Sequence, residues 1–188
     1  MSDLVSLFGR AVDEFARRVE KVGTDHWRSP TPDDDWDVRA LVNHIVVEDL
    51  WAPPLLHGLT LAEVGDRFDG DHLGDAPLGS WRRASTEAVA AVGEDGALDR
   101  IVHVSFGDIP GSEYVSQLTC DHVIHAWDLA RAIGADERLD RELVEFAYGY
   151  LAPKADGWRS AGVFGPRVEV PADADRQTVL LALSGRQA

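Results

Sequence analysis

The 188-residue chain carries a formal net charge of −15 at neutral pH, and no Lys/Arg-rich run offsets it, so a nucleic-acid backbone is repelled and excluded as a partner. No apolar run approaches the ~20 residues that cross a bilayer, which excludes a membrane-spanning protein. The single cysteine, Cys120, cannot close an internal disulfide and no secretory leader is recognisable, so a reduced, cytoplasmic protein is expected.

The length suits one domain, read as residues 1–188 with a short C-terminal extension from about 158 to 188. From Leu4 to Val22 apolar residues recur at three- and four-residue steps, the pattern of an amphipathic helix. A Pro/Gly-marked loop follows, and its Asp33-Asp34-Asp35 run lacks the glycine and terminal glutamate of a calcium-binding hand. Asp37 is placed to cap a second helix beginning at Val38, which Pro53-Pro54 are expected to break or kink. A short helix is expected around Leu61–Phe68, a third long one from about Ser80 to Val92, and a short strand or hairpin arm over 100–107. The fourth long helix starts after Pro110-Gly111 and is closed by Gly134. A fifth covers 140–155, and the tail reads as an extended piece and a final short helix. No repeat interrupts this mostly helical, all-α bundle pattern.

The fourth long helix concentrates polar residues in "CDHVIHAWDLARAIG". Residues four apart lie about 40° apart around a helix, so Asp121 and His125 share a face, at the edge of the stripe formed by Tyr114, Leu118, Leu129 and Ala132. A buried carboxylate and imidazole must pair with each other or share a cation. On the second helix Leu41, His44, Trp51 and Leu55 form a stripe, with Glu48 one turn after His44. His44 alone reads first as a satisfied core histidine and second as a ligand. Two inward polar groups on one helix and one on another make a facial metal site with open positions. His122 could replace Asp121 in such a shell, or pack and hydrogen-bond nearby. Cys120 points about 100° away from Asp121 and reads as a small buried hydrophobe. Trp127 and Asp128 read as packing and as a partner for a basic neighbour such as Arg131. Trp51 could line a substrate pocket or pack, and Arg82 or Arg83 could hold an anionic substrate or face solvent. His26, His57, His72 and His103 lie in or near loops and receive no role.

The segments "WDVRALVNHIVVEDLWAPPLLHGLTLAEVGDRFDGDHLGDAP" and "FGDIPGSEYVSQLTCDHVIHAWDLARAIG", with the "FGPRVEVPADA" tail, resemble the actinobacterial branch of the DinB-like superfamily, the group related to the N-terminal domain of mycothiol-dependent maleylpyruvate isomerase. The resemblance implies an up-down-down-up four-helix bundle with a divalent metal at one end of its core. It places the ligands on His44, Asp121 and His125, with zinc as first choice and nickel, manganese or iron as alternatives. It further implies a low-molecular-weight thiol as co-substrate, acting on a small electrophile. Glu48 is the expected base or orienting group, with an exposed helix carboxylate as its other reading; Trp51 and Arg82 are the expected substrate or thiol contacts. The chain is short for the second domain that the isomerase carries, so thiol transfer in general is implied, not that isomerisation in particular. Two functions stand: a mycothiol-type transferase or isomerase, and a non-catalytic metal-binding bundle in stress response or partner binding. An open three-ligand shell favours the first and a closed shell the second. A homodimer through exposed apolar helix surface is compatible with either.

Overall fold

The computed structural model describes residues 3–33 and 35–188, and so leaves Asp34 of the acidic run outside the description. Eight helices and one hairpin follow in chain order among these residues: α1 (Leu4–Val19), α2 (Val38–Leu56), α3 (Leu61–Val64), α4 (Pro77–Val92), β1 (Ile101–Val104), β2 (Gly107–Pro110), α5 (Gly111–Ile133), α6 (Arg141–Leu151), α7 (Ala155–Ser160) and α8 (Arg176–Leu183). Among the described residues no helix is long and apolar enough to cross a membrane.

The four long helices α1, α2, α4 and α5 form the bundle, with α1 against α5, α2 against α4, and α2 also against α5. Their shared core includes Phe8, Phe15, Leu41, Ile45, Leu118 and Leu129. A second core lies on the other flank of α1 and α5, where α6, α7 and α8 bury Leu143, Leu151, Phe164 and Leu180 against Leu7 and Val123. α5 belongs to both cores, so it is apolar nearly all round and its polar residues stand out. The C-terminal elements thus brace the helix that carries Asp121 and His125.

Local chemistry sets the ends of the ligand-bearing helices. Asp37 caps α2, its Oδ1 accepting from the Ala40 amide at 2.8 Å, as its position before an apolar run predicts. At the start of α5 only glycine fits: a Cβ on Gly111 would stand 2.1 Å from the carbonyl oxygen of Ala97. Gly134 closes α5 in the left-handed conformation (φ 66°), which a side chain would strain.

Several boundaries differ from expectation: α1 ends at Val19, short of Val22, and α4 begins at Pro77, ahead of Ser80. Of the expected break or kink at Pro53 and Pro54, the break does not occur: α2 runs on for two residues to Leu56. Each proline removes one N–H donor, but Ala52, Leu55 and Leu56 are all buried, and that burial offsets the loss. α3 stops at Val64, because Gly65 turns to φ 64°. α6 ends at Leu151, and a separate short α7 precedes a stretch, 165–171, with no regular structure. The expected hairpin is present, with Val102 paired to Ile109.

Candidate metal centre

His44 comes from the middle of α2, and Asp121 and His125 from adjacent turns of α5. One ligand atom from each lies within 4.8 Å of the others, and no further His, Cys, Asp or Glu joins this group among the described residues. Asp121 stands between the imidazoles: Oδ2 is 2.9 Å from His44 Nε2, and Oδ1 is 3.4 Å from His125 Nε2. Donors about 2 Å from one divalent ion stand about 3 Å apart, so the donor types and these separations fit a single cation.

The His125 imidazole is oriented from behind. His125 Nδ1 donates to Asp128 Oδ2 at 2.9 Å, which turns Nε2 toward Asp121. Asp128 is fully buried and is in turn held by Arg186, at 2.9 Å from Nη2 and 3.2 Å from Nε. Arg186 also faces Asp33, at 3.7 Å. The ring of Trp36 lies 4.7 Å from His44 and 5.5 Å from His125, centroid to centroid, and walls the pair on one side. Asp128 therefore pairs with His125 and Arg186, whereas Arg131 binds Glu137 and stacks over Trp127.

The electrostatics follow from this packing. Burial works to raise the Asp121 carboxyl, but His44 and His125 on either side overcome it and hold the group well below the usual carboxylate range. Burial works to lower His125, yet Asp121 and Asp128 push it up to about 9. Glu48 is raised, first by burial and then by repulsion from Asp121.

A cavity of about 250 Å³ opens over the group. His44, Glu48, Asp121 and His125 line one side of it, and Tyr114 and Gln117 continue that side along α5. Glu48 is thus brought to the site, outside the cluster of possible ligands. Trp51 and Arg82 are not. Trp51 is two turns, about 10 Å, along α2 from His44, and its ring packs on Phe68 at 5.3 Å. Arg82 is exposed on α4 and binds Glu20, the residue that follows α1, at 2.6 Å. Cys120 is buried at the cavity wall, and burial pushes its thiol well above the ordinary value, so it is no ready nucleophile.

His122 turns the other way. It is fully buried in the bundle core, donates from Nδ1 to the Leu118 carbonyl at 2.9 Å, and presents Nε2 to Asp49 of α2 at 3.3 Å. Residues that sequence spacing did not single out as part of the site are Trp36, Asp128 and Arg186. Asp128, three residues after His125, could have been found from the helix alone; Arg186, 58 residues beyond Asp128, could not.

Residues 8–130 match the family described as "Mycothiol maleylpyruvate isomerase N-terminal domain", and all three members of the cluster lie inside that span. Two uncharacterized proteins of Mycobacterium tuberculosis, Rv0738 and MT0763, are each 29% identical over 139 residues, covering 71% of this chain and 69% of theirs. Among solved structures, the mycothiol-dependent maleylpyruvate isomerase and a single-substitution variant of it superpose with a TM-score of 0.66 over 87% of this chain and 72% of theirs. At 17–18% identity these two structures share the fold.

Proposed function

The chain belongs to the mycothiol maleylpyruvate isomerase N-terminal domain family, and on that premise we propose that it is a metal-dependent S-transferase or isomerase. It joins a low-molecular-weight thiol of the mycothiol type to a small electrophile, or removes it. The observation that carries this reading is the open cluster of His44, Asp121 and His125 at the base of a cavity. Two imidazoles and a carboxylate suit zinc first, and nickel, manganese or iron in the same geometry. A divalent ion held there would acidify a bound thiol or water and polarise a carbonyl.

The chain's own groups supply the rest. Glu48, raised by burial and by Asp121, is the base that accepts the thiol proton within the cavity. Asp128 and Arg186 keep His125 in one tautomer and one orientation. Trp36 excludes water from one side of the imidazoles. We read the whole chain as one working domain, because α6, α7 and α8 share a core with α1 and α5, and we place it in the cytoplasm, where its buried free thiol stays reduced.

The reading is tested by incubating the zinc-loaded protein with a small thiol and a panel of electrophiles and measuring adducts by mass spectrometry. Metal-dependent adduct formation that Glu48→Gln slows by at least tenfold is expected. Adducts formed at equal rates with and without metal would contradict it.

A further inference from the structure

The family match ends at residue 130, but the cavity wall does not. Leu151, Trp158, Val163 and Phe164, all beyond the matched span, line the same cavity as the metal-binding cluster. Leu151 and Phe164 are buried, and the Trp158 and Phe164 rings lie 5.4 Å apart. This part of the wall is therefore apolar and aromatic, and it shares a space of about 250 Å³ with the cluster. An enclosed apolar cavity of about 150 Å³ accepts a benzene ring, so this space holds one ring and a short reactive arm.

Charge narrows the occupant further. Arg186 is the sole Lys or Arg among the lining residues, and it is committed to Asp128 through two nitrogens. Asp33 and Glu48 line the same space as Asp121. An incoming carboxylate meets Asp33 and Glu48 and finds no free guanidinium to receive it, and the charge of His125 is already matched by Asp121 and Asp128.

We propose that this cavity selects an uncharged electrophile with an apolar body of about one ring, seated against Trp158 and Phe164 with its reactive carbon toward the cluster, and that it rejects dicarboxylic and other anionic substrates. The inference deepens the metal–thiol reading and rests on it for the chemistry. The seat itself is built by the C-terminal elements of this chain.

The test compares methyl cinnamate with cinnamate, which share one ring and one conjugated alkene and differ by a charge. Each is titrated calorimetrically into the protein, with and without zinc. The comparison is read in the metal-free protein, where no cation can take the carboxylate, and there the ester is expected to bind at least tenfold more tightly than the acid. Trp158→Ala and Phe164→Ala should each weaken ester binding at least tenfold while leaving zinc affinity unchanged. Val163 is 61% exposed on the rim, so Val163→Arg keeps the fold and should shift the preference toward the acid at least tenfold. Equal or tighter binding of the acid, or ester binding indifferent to all three substitutions, overturns the proposal. The metal-free arm reads the seat alone, so a protein that takes up no zinc contradicts the metal centre and not the seat.

Discussion

The buried carboxylate of Asp128 accepts from His125 Nδ1 at 2.9 Å, which commits His125 to offer Nε2 toward Asp121 and toward any cation between them. Groups that fix a ligating imidazole in this way typically contribute 10–100-fold to metal affinity. Asp128→Asn keeps the size but not the charge. Its zinc affinity, measured by chelator competition, should fall by about 10–100-fold. Unchanged affinity would show that the His125 orientation is set elsewhere.

A second buried contact ties the two ligand-bearing helices together. Asp49 of α2 and His122 of α5 are both fully buried, 3.3 Å apart, and neither oxygen of Asp49 has a hydrogen-bond donor among the described residues. An ion pair so incompletely satisfied adds little to stability, and apolar replacement of both partners is often neutral. We infer that it serves register, pinning α2 against α5 so that His44 meets Asp121. Asp49→Leu or His122→Leu alone should cost about 3–5 kcal/mol in denaturant unfolding. The double substitution should recover most of that stability and still bind zinc at least tenfold more weakly. A double variant with full zinc affinity would remove the register role.

Metal binding should depend on pH through His125. A cation needs the neutral imidazole, and in the metal-free protein Asp121 and Asp128 keep His125 protonated up to about 9. Asp121, held well below the usual range, stays ionised throughout. Affinity should therefore rise about tenfold per pH unit from 7 toward 9 and level off above, as one proton is displaced per ion bound. Titration in a metal-ion buffer checks this, and a flat profile between pH 7 and 9 would contradict it.

Much of this arrangement is legible in the sequence, for identifiable reasons. The spacing of four between Asp121 and His125 fixes their common face, and His44 sits on the apolar face of the second helix. Helical periodicity gives angle but not depth. Trp51 shares the angular sector of His44 yet lies two turns along the helix, against Phe68. Arg82 has no angular relation to the cluster, because α4 packs on α2 and α1 while its guanidinium binds Glu20 outside. Trp36 comes from a loop, where no periodicity aims a side chain, and Arg186 arrives from the end of the chain through tertiary packing. His122 had two open readings, and Asp49, fully buried on the facing helix, settles its direction into the core.

The central claim is that His44, Asp121 and His125 hold one divalent cation. Elemental analysis of the purified protein, beside His44→Ala and His125→Ala, tests it most directly. The account predicts close to one equivalent of divalent metal in the unsubstituted chain and loss of at least nine-tenths of it in each variant, with folding by circular dichroism retained. A metal-free unsubstituted protein that also takes up no zinc on reconstitution, or variants that keep their metal, would contradict it.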